Sequence, residues 1–171
     1  MMGRSGERAV AATAFAVALL FAASCATSRV AELVVSAKDG RELAVLRLVD
    51  GKFEHRFIHS YHLTPVRERF EVATGEKPGI APMHLYELRY QSSGVGMPED
   101  AEGGYRLEDG VFVLAMDRSF DRVPVFVSIV PGHGIEVGGI FHPFAEWAEP
   151  MQLVVLSSRT RFVSRSGGIC P

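Results

Sequence analysis

The residues whose types could do chemistry lie close together in His59-Ser60-Tyr61-His62-Leu63-Thr64-Pro65-Val66-Arg67-Glu68. An imidazole, a hydroxyl and a carboxylate are the parts of an activated nucleophile: base, attacking oxygen and orienting group. The spacing works against that use. His59 and Ser60 are neighbours at the end of an alternating run, so on a strand their side chains point to opposite faces. No Gly-x-Ser-x-Gly elbow surrounds Ser60. The stretch therefore predicts no catalytic residue. It predicts a turn at Thr64-Pro65, with Ser60 and Glu68 hydrogen-bonding backbone there.

The six histidines invite a second reading, as metal ligands with Glu68: His55, His59, His62, His84, His133 and His142. His55 and His59 share one strand face but stand four residues apart. At a strand's rise that is about 13 Å, too far to share one ion. His59 with His133 is the more plausible pair, since distant segments can meet. No close motif such as His-Glu-x-x-His is present, so no metal and no cofactor is expected.

These residues need a scaffold, and the chain reads as all-β. Three Asp-Gly pairs, Asp39-Gly40, Asp50-Gly51 and Asp109-Gly110, sit between apolar runs and suit type I′ hairpin turns. Glu32 to Ser36, Arg41 to Val49 and Lys52 to His59 then form a meander. In the third run Phe53, His55, Phe57 and His59 share a face. Further strands are expected at Arg67 to Ala73, His84 to Tyr90, Val111 to Met116, Val123 to Val130 and Gln152 to Leu156. Pro143 to Glu149 could make about two helical turns with Pro143 first and Trp147 packed on the sheet. Gly75 to Pro82 and the stretch from Ser92 to Gly104 read as loops. The fold class is a single antiparallel β-sandwich or barrel-like domain with one short helix, preceded by a signal segment.

The start of the chain looks like an export signal. Arg4 and Arg8 precede an apolar run from Ala9 to Ala23, which closes on Ala22-Ala23-Ser24-Cys25. As a helix the run reaches about 22 Å, short of the ~30 Å hydrocarbon layer. Small residues before Cys25 resemble a lipobox, which makes Cys25 a candidate for lipidation and the protein a membrane-anchored periplasmic lipoprotein. Ordinary cleavage after Ala26 is the alternative. The expected divisions are a signal at 1–25, a β domain at 26–156, and a last strand and tail at 157–171. Cys170 would then have no partner for a disulfide. The chain carries 18 basic and 20 acidic residues. With no basic stripe, a nucleic-acid partner is not expected.

Two blocks carry a family likeness. His59-Ser60, a short gap, Pro65-Val66 and Glu68 form the first, and Tyr90-Gln91-Ser92-Ser93-Gly94-Val95-Gly96-Met97-Pro98 the second. Gly132-His133 is a third echo. Together they resemble a bacterial family, the domain-of-unknown-function family eighteen-fifty, over roughly Phe53 to Gly139. Tyr61-His62-Leu63 replaces the family's more usual apolar-acidic-basic trio. The resemblance implies a small exported protein, often encoded beside TRAP transporters of the TAXI type, which pair an extracytoplasmic solute-binding protein with a fused membrane permease. The family has no established activity, so the resemblance implies a setting and not a mechanism. His59, Ser60, Pro65, Val66, Glu68, Gly94, Gly96, Pro98 and His133 become the candidate contact surface for a partner subunit or ligand. Glu68 is expected to lie beside the loop Ser92 to Pro98.

Overall fold

The computed structural model describes residues 27–73, 78–91 and 104–164. Two antiparallel sheets pack face to face as a sandwich. The smaller sheet holds β1 (Thr27–Ala37), β2 (Glu42–Arg47), β5 (Gly79–Ala81), β9 (Arg122–Phe126) and β12 (Leu153–Ser164). In it β2 pairs with β1, β1 with β12, and β12 with both β5 and β9. The larger sheet runs β11 (Ile140–Pro143), β10 (Gly134–Val137), β3 (Lys52–Ile58), β4 (Pro65–Val72), β6 (Met83–Tyr90), β8 (Val111–Phe120) and β7 (Tyr105–Glu108). Chain contacts divide the protein into residues 30–161, which contain the core, and the two ends, 1–29 with 162–171. At those ends the Arg29 guanidinium lies 5.8 Å from the centre of the Phe162 ring. Among the described residues no helix is long and apolar enough to cross a membrane.

Alternation builds the core. Val66, Phe70 and Val72 of β4 point inward and are buried, as period-2 side chains on a half-buried sheet must. Phe70 stacks on Phe53 of β3 with ring centres 4.9 Å apart. In β6 the inward set is Met83, Leu85, Leu88 and Tyr90. The change of parity after Leu85 comes from an extra residue, Tyr86, opposite β4, because a bulge moves everything beyond it to the other face.

The all-β expectation holds, and several local ones need correction. β3 does not continue a meander from β2. Only a single bridge, Val49 to Lys52, links them across Asp50-Gly51, and β3 pairs instead with β4 and β10. Phe53 and His55 of β3 are buried. Asp50-Gly51 and Asp109-Gly110 are left-handed at both residues, but at Asp39-Gly40 only Gly40 has positive φ. There Asp39 Oδ1 accepts the Arg41 N–H at 3.0 Å, an Asx turn in place of type I′.

The expected helix is one 3-10 turn, Phe144–Glu146, because Pro143 is already spent on β11. Part of the expected Gly75 to Pro82 loop is β5, held by β12. The expected strand from Val123 to Val130 ends at Phe126. β12 is one strand through Leu156 and Ser157, where two segments were expected. Three short strands, β7, β10 and β11, are additional. Each is four residues long, too short for alternation to announce.

Candidate ligand cleft

The larger sheet carries a charged residue on its inward face. Glu68 lies between Val66 and Phe70, both buried, and pairs in register with His55 of β3. Parity sends both side chains toward the sandwich interior. His55 Nδ1 lies 2.8 Å from Glu68 Oε2. The neighbour that completes the group comes from far along the chain. β10 pairs with β3, placing Ile135 opposite His55, and His133 just before β10 lies over the His55 ring. Their Nε2 atoms are 2.9 Å apart. His133 Nδ1 accepts the Ser128 N–H at 2.8 Å.

These contacts determine every proton in the chain. A backbone N–H can only donate, so His133 Nδ1 is a lone pair and the proton of the ring is on Nε2. That proton points at His55 Nε2, which must accept it. The His55 proton is then on Nδ1 and is donated to the Glu68 carboxylate. Both imidazoles are neutral in this arrangement and Glu68 is the anion. His133 is 8% exposed, and burial, then the neighbouring His55, pushes its pKa down to about 4.

The same sequence features hold His133 in place. A Cβ at Gly134 would lie 2.3 Å from His142 O and 2.8 Å from Pro143 Cα, so only glycine lets β10 and β11 approach here. Phe144 N–H donates to His133 O at 3.0 Å. The Phe144 ring meets the His133 ring edge-on at 4.8 Å, a favoured aromatic arrangement.

The group opens onto a cleft of about 430 Å³. Phe57 and Ile58 of β3 form one wall, and β9 from Val123 to Phe126 forms the other. His59 and Ser60 stand at its rim, and Glu68, His55 and His133 supply its polar lining. His59 N–H donates to Thr64 O, and Leu63 N–H donates to His59 O, both at 2.8 Å, closing the turn that the Thr64-Pro65 pair predicts. The His59 ring accepts the N–H groups of Tyr61 and His62 on Nδ1, each at 3.3 Å, so its proton sits on Nε2.

Four candidate residues from sequence therefore meet in one place: His59, Ser60, Glu68 and His133. Glu68 does not cap the turn backbone as expected but binds an imidazole, because its parity on β4 turns it inward. His59 is not the partner of His133; His55 is. The pair Ile58 and Pro65 sets the register that places His55 opposite Glu68. Pro65 opens β4 and is exposed, and Val66 is a core residue at 1% exposure; neither lends a polar group to the cleft. His84 pairs with Asp117 at the surface and His142 stacks on Trp147. His62 keeps a buried Nε2 with no hydrogen-bond partner. Among the described residues no three His, Cys, Asp or Glu are grouped to hold a metal ion. Gly94, Gly96, Pro98 and Cys25 lie outside the described residues, as does the expected contact of Glu68 with Ser92 to Pro98.

A two-sheet β-sandwich with an inward carboxylate–histidine–histidine chain is the class that fold and site define. The family "Domain of unknown function (DUF1850)" matches residues 53–144, and the protein belongs to it. That span contains the whole cleft lining, from His55 to His133. No curated protein and no solved structure matches the chain.

Proposed function

We propose that the protein is a non-enzymatic binder of a small ligand, exported and held at the membrane through a lipidated Cys25, where it serves a TRAP-type importer of the TAXI class. The observation that carries the binding role is the cleft itself. An open cleft with a mostly apolar lining and a few convergent polar groups suits a small ligand. The arrangement also disfavours catalysis by Ser60. The lone pairs of His55 and His133 are committed within the chain, and His59 Nδ1 is committed to backbone. None of these three imidazoles, His55, His59 and His133, has a lone pair left to activate a hydroxyl. A metal between His55 and His133 would need the His133 Nε2 lone pair, which requires breaking the Ser128 bond. The setting draws on the basic, apolar and small-residue pattern that ends at Cys25 and on the family's likeness to exported proteins encoded beside TAXI-type importers.

Deletion of the gene should reduce uptake of the solute carried by the neighbouring importer. Wild type and Ser60→Ala should both restore it, and Ser60→Trp, which fills the rim, should not. Unchanged uptake in the deletion strain overturns the importer role. Failure of Ser60→Ala to restore uptake, in a protein that folds and is present at normal amount, would give the hydroxyl a chemical task and favour a periplasmic hydrolase.

A further inference from the structure

Charge is balanced differently on the two faces of the larger sheet. On the outward face each of four glutamates meets a guanidinium. Glu54 is bonded by Arg67 and Arg69, Glu87 by Arg69 and Arg106, Glu108 by Arg89, and Glu136 by Arg56. Glu68 faces inward and has no such partner among the described residues. Its hydrogen-bond donor is His55, which the proton order described above keeps neutral. A carboxylate set into an apolar wall without a countercharge is a costly arrangement. Its side chain is 27% exposed, and it is the one carboxylate among the described residues lining the cleft. The other titratable groups there are His55, His59 and His133. Each has a ring nitrogen occupied as an acceptor.

We infer that the cleft takes an organic cation: an amine with an apolar body, its nitrogen on the Glu68 carboxylate. One of the carboxylate's roughly four acceptor positions is used by His55, and an ammonium group brings both the donors for the others and the missing positive charge. Phe57, on the β3 wall, and Phe126, 67% exposed on the β9 wall, add aromatic rings to the lining, a side-chain type that attracts cations. The remaining wall, Ile58, Val123 and Val125, is hydrocarbon and suits the body of the ligand. His55 holds Glu68 in one orientation, and His133 holds His55. The histidines are positioning residues in this site, and Glu68 makes the contact. The inference rests on the small-ligand reading of the cleft and adds the sign of the ligand's charge.

The test is calorimetric titration of the purified full-length protein at neutral pH with benzylamine, benzyl alcohol and benzoate, which share a ring and differ in charge. Benzylamine should bind at least about tenfold more tightly than benzyl alcohol, the value of one charge-assisted hydrogen bond, and benzoate should not bind measurably. Glu68→Gln should bring benzylamine to within about threefold of the alcohol. The wild-type ranking alone decides the matter if that variant does not fold. Benzyl alcohol or benzoate binding as tightly as benzylamine overturns the cationic class and leaves the cleft a ligand site. No binding by any of the three overturns the inference, and rescue of uptake by Ser60→Trp would remove the small-ligand reading with it.

Discussion

His55 and His133, 78 residues apart in sequence, share one proton across 2.9 Å between their Nε2 atoms. The pair exists because β10 adds to the edge of β3, and because Gly134 lets the chain pass close to Pro143. The direction of the shared proton is imposed from outside the pair, by the Ser128 N–H at one end and the Glu68 carboxylate at the other. Local backbone thus determines the charge state of a buried polar chain.

The first expectation concerns acid. The His133 pKa falls to about 4 in the folded protein, against about 6.5 in an unfolded chain. Between those values the unfolded state binds the extra proton, so this group's contribution is full above pH 6.5 and is lost as pH falls toward 4. The loss should reach roughly 3 kcal/mol by pH 4. Urea unfolding at a series of pH values checks it. His133→Gln, if folded, should show a shallower fall over that window, and an unchanged slope would exclude His133 as the origin.

The second expectation concerns coupling between His55 and Glu68. A double-mutant cycle with His55→Phe and Glu68→Leu should give an interaction energy of about 1.5–3 kcal/mol, the range for a hydrogen bond to a charged group. Glu68→Leu leaves His55 Nδ1 without its partner, and His55→Phe leaves both Glu68 and His133 Nε2 without theirs; the loss at His133 is common to the single and double variants that lack His55 and cancels in the cycle. Denaturant midpoints of the four proteins measure it, and additive losses would show that the bond contributes nothing.

The third expectation concerns Gly134. Gly134→Ala should destabilise the protein by about 2 kcal/mol or more, since backbone atoms and not a flexible side chain block the new methyl. The His133 imidazole resonances should move with it, because the residue before β10 cannot keep its place when β10 shifts from β11. Thermal unfolding and histidine-selective NMR read the two effects. Gly139→Ala is the comparison, since a Cβ there meets nothing within 4 Å; it carries only the strain of its positive φ.

The fourth expectation concerns the anchor. In its native cell the wild-type protein should take up labelled palmitate, and Cys25→Ser should not. Two or more acyl chains hold a protein firmly where one does not, so Cys25→Ser should also move the protein from the membrane to the soluble fraction. Equal labelling of both, or of neither, removes the lipoprotein.

Much of the scaffold was legible because strands announce themselves by side-chain alternation and by turn residues. Phe53, His55 and Phe57 on one face of β3, the turn before Pro65, and the left-handed Asp50-Gly51 and Asp109-Gly110 pairs all follow from steric rules that act within a few residues. The four-residue strands β7, β10 and β11 were not legible, since so short a segment holds barely two periods. The helix expected from Pro143 failed for a related reason: helix propensity is weak, and pairing of β11 with β10 outweighs it.

At the site the sequence alone determined which groups were on hand and that a turn would bring His59, Ser60 and Glu68 to one end of a hairpin. That Glu68 and His55 face each other depends on the register that the Ile58 and Pro65 pair sets in the folded hairpin. The tertiary structure alone decided that β3 leaves β2 for the other sheet, and that His133 rather than His59 completes the polar chain. Pairing between distant strands depends on which apolar faces are left to cover once the local elements exist, and no term acting along a few residues contains it. The proton positions are later still, since they depend on a backbone N–H whose direction exists only in the folded chain.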